Sequence, residues 1–590
     1  MLLYDPSIDE ILKATPTMTT TAGGAKIPYP FPSPADWRDH WIYFLLVDRF
    51  NNPLQPPTPA DYPCNVYQGG NFAGIKDKLP YLKELGVTAL WISPVLINPP
   101  WFGDYWGGYG IFDFMRIEPR YCSDPEAVRL DPAIGDKEFR ELVDEAHAQG
   151  IYIILDIVLN HTGDLFNYDG EQDAAPWKKD GPYTVYWRNE AGVPQGNWND
   201  IATLPHPSPL AGVWPQELQH NGYFRRQGDG SGSGDLTKGD FGRLKELVTE
   251  YQDPVTRQFP VRDILIRAYQ YLVAKFDLDG YRIDTLQYIE PDFSRVFGNS
   301  MREYALSIGK KNFFTFGEVW QDDDETKISE FIGRNTEKDG EFVGVDAAID
   351  FPMRKRLIGV CKGFTPPSVL AEHFDARREL LKNIVSSHGD ASKYYVTFLD
   401  NHDVNERFHN PGFPAQSRIA LTCLMAMQGI SCIYYGEEQG LSGSGDRREY
   451  VRQAFWNDPA NFDTGSPFFL FLRQLARVYA EQPALRYGRQ YFRPTSLNGI
   501  DFAYASEKGG VLAFSRILNT LEIIVVANMS VDKPAAVQVV VDYNLHDIGK
   551  AWEVLLPSPY AGPAPGLTTL TGNYKTLILK LEPQESLILR

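Results

Sequence analysis

The chain has 590 residues, 43% of them hydrophobic and 23% charged. That composition is globular, and the length allows two or three folding units, at roughly 150 residues or more each, with an ample core. A formal net charge of −19 and the lack of any Lys/Arg run argue against nucleic-acid partners.

At the start, Met1–Lys13 (MLLYDPSIDEILK) places acids where a signal peptide needs a basic region and then an apolar run. No apolar stretch approaches the roughly 18 residues of a membrane span. The five cysteines (Cys64, Cys122, Cys361, Cys423, Cys432) are scattered and form no CxxC pair. They point away from disulfides or zinc and fit a reducing compartment, so a cytoplasmic location is the expectation. Residues 14–35, rich in Thr, Pro, Gly and Ala, complete an N-terminal arm spanning 1–35.

From residue 36, short apolar runs alternate with helical patterns. Eight runs predict strands: WIYFLLVD from Trp41, VTALWIS from Val87, IYIILDIV from Ile151, GYRID from Gly280, FFTFGEV from Phe313, GVDAAID from Gly344, YYVTFLD from Tyr394 and SCIYYGE from Ser431. Amphipathic segments such as DKLPYLKELG, which stops at Gly86, and DKEFRELVDEAHAQG, which stops at Gly150, predict helices between them. Continuous apolar strands alternating with helices imply a parallel sheet covered on its outer face. Eight such units predict a (β/α)8 TIM barrel over residues 36–161 and 262–487. A doubly wound open sheet is the rival, and the strand count favours the barrel.

Between the third and fourth strands lie about a hundred residues rich in Gly, Pro, Trp and Asp. Structureless loops rarely exceed roughly 15 residues, so 162–261 reads as an inserted subdomain. From residue 488 to 590, alternating runs such as VLAFSRI and LEIIVVANM predict a C-terminal antiparallel β-sandwich.

In such barrels, polar residues at the C-terminal strand ends form the active site. Here the third strand ends Asp156…Asn160-His161, the fourth carries Arg282 and Asp284, the fifth ends Glu318-Val-Trp320, and the seventh ends Asp400-Asn401-His402-Asp403. The segments DIVLNH, GYRIDTLQY, FGEVW and FLDNHD resemble, in order, the four signature regions of the α-amylase family of glycoside hydrolases (glycoside hydrolase family 13). The resemblance spans about residues 36–590. Any one segment alone is a weak signal, whereas the four together are specific.

The resemblance implies a retaining enzyme that acts on α-glucans, with Asp284 as nucleophile, Glu318 as acid/base and Asp403 as a third carboxylate binding ring hydroxyls. Retention needs one ionised carboxylate to attack the anomeric carbon and one protonated carboxyl to release the leaving oxygen. Arg282, two positions before Asp284 on the same strand face, is expected to lower the Asp284 pKa. Glu318 is expected in a drier spot that keeps its proton. His161 and His402 match histidines that hydrogen-bond sugar hydroxyls, and Tyr109 in WGGYGIFDF matches a tyrosine that stacks on the sugar. The family often has a His where this chain has Gly107. Trp101, Phe102, Tyr105 and Trp106 read equally as sugar platforms or as a packed loop.

Asn160 resembles a calcium-ligand asparagine, which makes Ca2+ the one cofactor implied. Against it, Gln287-Tyr288 stands where many α-amylases have Lys-His, whose His lends a carbonyl to the metal. Asp48, Asn51, Asn52, Gly69 and Asn71 faintly resemble a second metal loop, and read more readily as a turn cluster. YYGEEQGL with Asp446, Arg447, Arg448 and Arg452 resembles the eighth strand and its loop, where an Arg binds sugar. Which of these arginines does so stays open.

The leading function is hydrolysis of α-1,4-glucosidic bonds in starch, glycogen or maltooligosaccharides through a covalent glucosyl-enzyme. The alternatives are a transglycosylase (glucanotransferase, branching or trehalose-synthase type), an α-1,6- or cyclodextrin-directed hydrolase, and a non-catalytic binding subunit. The last conflicts with the presence of all three carboxylates.

Overall fold

The computed structural model describes residues 2–57, 66–101, 107–170, 173–204, 210–443, 451–556, 568–571 and 573–590. All eight predicted strands form. They are β1 (Ile42–Leu45), β2 (Ala89–Ile92), β3 (Tyr152–Val158), β4 (Gly280–Asp284), β5 (Phe314–Gly317), β6 (Ala347–Ala348), β7 (Val396–Phe398) and β8 (Ile430–Tyr434). They make one parallel sheet in the order β6-β5-β4-β3-β2-β1-β8-β7. A parallel bridge between Ile349 and Val396 joins the two ends, so the sheet closes into a barrel. No edge is left for pairing with another chain.

The strands run without polar alternation because both faces are covered. Ile42, Tyr43, Phe44 and Leu45 are all fully buried. Inside the barrel, the Phe44 and Trp91 rings stack at 3.8 Å, and Phe316 meets Trp91 edge-on at 5.4 Å. Burying each such side chain stabilises the fold by about 1.5–3 kcal/mol. The helices end where the sequence stops them. Phe72–Leu85 terminates at Gly86, whose φ of 96° is costly for any residue with a Cβ.

The segment after β3 returns to the barrel through a short antiparallel pair, His161–Thr162 with Lys245–Glu246. Its interior combines aromatic packing among Phe166, Trp187 and Phe224 with buried charge. Asp164 lies 3.0 Å from Arg188, 2.8 Å from Arg243 and 3.6 Å from Lys245, and Asp240 lies 3.5 Å from Lys245.

The N-terminal stretch is more structured than its composition suggests. It forms the helix Pro6–Leu12 and the hairpin Thr17–Thr20/Lys26–Tyr29. Arg267 pairs with Asp9 at 2.6 Å, and Phe31 stacks on His147 at 4.2 Å, so the stretch is docked on the barrel's helices. Long-range contacts of this kind leave no mark on a Thr/Pro-rich sequence. At the other end, two four-stranded antiparallel sheets enclose a separate apolar cluster that includes Ile524, Val526, Val539 and Leu577. Among the described residues, no helix is long and apolar enough to cross a membrane.

Candidate active site

Strand β4 delivers Arg282 and Asp284 two residues apart, both directed to the same side by the pleat. β4 pairs with β3 so that Arg282 lies opposite Asp156, and with β5 so that Ile283 lies opposite Gly317, next to Glu318. The parallel register therefore brings all four polar residues to one rim. Gly317 is required here, because a Cβ would lie 2.0 Å from Leu286 Cδ2.

Arg282 is the hub. Its Nη1 donates to Asp156 (2.9 and 3.1 Å) and to Asp284 Oδ1 (2.9 Å), while Nη2 lies 2.8 Å from Glu318 Oε2. Thr285 adds a backbone N–H to the same Oε2 at 3.1 Å. Thr285 adopts a left-handed φ of 46°, a conformation that costs a residue with a side chain about 1–2 kcal/mol. The two key acids thus each have one oxygen on the guanidinium. Glu318 Oε1 makes no hydrogen bond among the described residues, and Asp284 Oδ2 has His161 Nε2 at 3.9 Å.

Burial raises the carboxyls of Asp284 and Glu318 to about 7 each; Arg282 pulls both down, and neighbouring carboxylates push them back up. Asp156 is raised to about 6, again chiefly by burial. Arg282 therefore works on Asp284 against burial. The guanidinium acts in the predicted direction, but one cation cannot offset desolvation of three carboxylates.

The cavity above this hub has a volume of about 390 Å3. Tyr109 and His402 stack at 5.3 Å on one side of it, and Tyr109 Oη donates to Asp156 at 2.8 Å. Gly107 belongs to this arrangement, since a Cβ there would come within 2.6 Å of the Tyr109 ring. Asp403 is held by Arg452 Nη2 at 3.0 Å, and Arg452 also donates to the His402 carbonyl at 2.8 Å. His161 is buried and its Nε2 has no hydrogen-bond partner. Burial lowers its pKa to about 4, so the ring is neutral at pH 7 with one nitrogen left for a ligand hydroxyl.

The structure thus places Asp284, Glu318, Asp403, His161, His402 and Tyr109 around one cavity, with Arg282 behind it. Arg452 is the arginine after β8 that reaches this cavity; Asp446, Arg447 and Arg448 lie outside the described residues, as do Phe102, Tyr105 and Trp106. Trp101 packs against Gly192 and Phe112. Sequence reasoning missed Phe241 and Leu244, which the segment after β3 brings to the cavity wall, and Thr285. Nothing in the local pattern GDFGRLKE separates them from an ordinary turn.

Asn160 is buried beside His161 (3.4 Å), and its carbonyl accepts the Leu247 N–H. Calcium takes six to eight oxygens. Among the described residues no cluster of acidic donors gathers at Asn160, and the buried acids Asp164 and Asp240 are already matched by Lys245 and two arginines. These side chains do not fit a calcium shell. At the second loop, the Asp48 carboxylate is taken by the N–H groups of Gln68 and Gly69 and by Arg49, which makes a turn cluster. The one acidic/histidine group within metal-binding reach among the described residues, Glu325–Asp350–His373, already surrounds the Arg377 guanidinium.

A closed (β/α)8 barrel with three carboxylates in a small aromatic-walled cavity at its C-terminal rim is the architecture of a glycosidase-type site. The chain belongs to the α-amylase family: the family model described as "Alpha amylase, catalytic domain" matches residues 44–466. It is 26% identical over 507 residues to an α-amylase of Streptomyces lividans, covering 76% of this chain and 49% of that protein. A cyclomaltodextrinase of Thermoanaerobacter pseudethanolicus is 24% identical over 517 residues, with coverage of 85% and 72%. The match to a Paenibacillus polymyxa β/α-amylase spans 31% of that protein, so the chain covers half or less of these two amylases. The fold is shared with an Anoxybacillus α-amylase (TM-score 0.62, 24% identity, 94% and 98% of the two chains). It is also shared with a cyclomaltodextrin glucanotransferase of three-domain ABC distribution (TM-score 0.66, 20% identity, 93% and 98%).

Proposed function

We propose that the chain is a retaining α-glucan hydrolase that cleaves α-1,4-glucosidic bonds through a covalent glucosyl-enzyme. The observation that supports this best is the Arg282 fork, which holds one oxygen each of Asp284 and Glu318 and leaves the second oxygen of each for chemistry. Asp284 Oδ2 attacks the anomeric carbon as the carboxylate, while Glu318 Oε1 gives its proton to the departing glycosidic oxygen. Glu318, now ionised, then takes a proton from water, and that water releases the sugar from Asp284 with net retention. A bound sugar completes the hydrogen bonding of His161 Nε2, stacks on Tyr109, and offers hydroxyls to Asp403 and His402.

A second reading is transfer to a sugar acceptor on the same intermediate. Tyr288 packs edge-on against Phe241 at 5.3 Å, and Trp320 stacks on Phe351 at 4.6 Å, so aromatic rings flank Glu318, where the acceptor enters. Incubation with maltoheptaose distinguishes the two. Shorter products only, released as the α-anomer by NMR, support hydrolysis. Products longer than the substrate establish transfer, and a β-anomer product overturns the retaining route.

A further inference from the structure

The C-terminal sheets bury a carboxylate that takes no part in the reacting cavity. Glu522 stands second in the strand Leu521–Asn528 and lies opposite Ile517 of Val511–Leu518, which puts it diagonal to Ser515 on the same face. Its Oε1 accepts Ser515 Oγ at 2.5 Å and Arg493 Nη2 at 2.6 Å, and its Oε2 accepts the Asp542 N–H at 3.0 Å. The remaining partner is His546, whose Nε2 lies 2.7 Å from Oε2. Both Glu522 and His546 are buried.

The sequence HDIGKAW then folds back on itself. The Lys550 N–H donates to the Asp547 carbonyl at 3.2 Å, and Gly549 supplies a φ of 95° that a residue with a Cβ resists. This turn brings Lys550 Nζ to 3.0 Å from His546 Nδ1 and to 4.0 Å from the centre of the Trp552 ring. An ammonium has no lone pair, so Nζ donates and Nδ1 accepts; Nε2 then carries the hydrogen that goes to Glu522. An amine, an imidazole and a buried carboxylate thus stand in line, the order of a nucleophile, its base and the group that orients the base. Lys550 itself is half-buried, so a small reagent in solvent reaches it.

Trp552 favours the ammonium form. Burial lowers the Lys550 pKa from its ordinary value, Glu522 raises it and Arg590 lowers it. Of the other charges around the turn, Glu553 pairs with Arg590 at 2.6 Å, Lys575 donates to the His546 carbonyl at 2.5 Å, and Asp547 is exposed. An acyl phosphate is small enough for a half-buried amine and brings its own proton acceptor, the departing phosphate. We propose that Lys550 is an acylation site, taking acyl groups from acyl phosphates with His546 as its base and Glu522 as the group that orients and balances His546. The first ammonium proton passes to His546 Nδ1 and on to water. Nζ then attacks the acyl carbon, the N–C bond forms as the bond from that carbon to the phosphate oxygen breaks, and the second proton leaves with the phosphate. The products are an amide and inorganic phosphate, with no change of oxidation state. The amide keeps one N–H, enough for His546 Nδ1, and loses the charge that rested on Trp552.

The test is timed incubation of the full chain with acetyl phosphate, with acetylation of each lysine followed by peptide mass spectrometry from about pH 6 to about pH 10. Lys137 and Lys580, whose side chains are 78% and 77% exposed, serve as references. Near neutral pH, Lys550 is expected to react at least about tenfold faster than either, with a pH midpoint at least about one unit lower. His546→Gln offers Glu522 an N–H and Nζ an acceptor but is no base, and brings the Lys550 rate down to that of the references. Lys550→Arg removes the fast site and leaves maltooligosaccharide turnover within about twofold, since none of these groups lines the reacting cavity. A Lys550 that reacts no faster than Lys137 and Lys580, or with their pH midpoint, overturns the site and leaves a cation resting on Trp552. So does a His546→Gln protein that folds as the parent does and keeps the fast rate. If His546→Gln does not fold, the pH midpoint of the parent decides.

Discussion

Arg282 carries more of the proposed chemistry than any other side chain that does not react. Replacing it with Gln removes one buried positive charge that faces three carboxylates at 2.8–3.1 Å. At about 4 Å and an effective dielectric near 20, one charge pair amounts to about 4 kcal/mol, or about three pKa units. Relaxation reduces this, so the Asp284 and Glu318 pKa values are expected to rise by about one to three units from their position near 7. The reaction needs Asp284 ionised and Glu318 protonated. Both limbs of the kcat/KM profile therefore move toward alkaline pH, and the rate at pH 7 falls about ten- to a thousandfold. Arg282→Lys keeps a charge but lacks the fork, and is expected to shift the profile less. The assay is kcat/KM on maltoheptaose across pH 4–10 with both variants. A slower Arg282→Gln enzyme whose profile keeps its parental position would refute the electrostatic role and reduce Arg282 to a spacer.

The same burial makes the active site costly to fold. Asp284 and Glu318 titrate higher in the folded protein than a free carboxyl does, so their contribution to stability is complete below about pH 4 and is lost as pH rises through about 7. Asp284→Asn and Glu318→Gln are thus expected to raise Tm by a few degrees at pH 8 and not at pH 4; calorimetry at the two pH values checks this. Lys245→Met leaves Asp164 and Asp240 short of a buried partner and is expected to lower stability by about 3–5 kcal/mol in urea unfolding. Chelation of divalent ions leaves Tm unchanged on the same grounds, and a fall in Tm restored by calcium would contradict the role given to Lys245. Arg452→Ala releases Asp403 and the His402 carbonyl, lowers kcat/KM about ten- to a hundredfold, and lowers Tm as well because Arg452 is itself buried.

The barrel was legible because its strands are buried on both faces and read as uninterrupted apolar runs, each followed by a helix with its own stop signal. The polar residues at the strand ends were legible for the same reason: a carboxylate such as Asp284 or Glu318 directly after such a run has few structural uses. The N-terminal hairpin was not, since its strands TMTT and KIPY gain their order from docking on distant helices. Phe241 and Leu244 reach the cavity only through the folding of the segment after β3. The balance of charge at Asp284 also lay beyond the sequence, because spacing reveals the neighbouring arginine but neither the depth of burial nor the opposing Asp156.

The sharpest test is to find which atom takes the sugar. The protein is incubated with a fluorinated α-glucosyl fluoride, which forms the glucosyl-enzyme quickly and hydrolyses it slowly, and the labelled peptide is sequenced by mass spectrometry. The glucosyl group is predicted on Asp284, with no label in Asp284→Asn. A label on Glu318, on Asp403 or on no residue while substrate is still turned over would contradict the assignment.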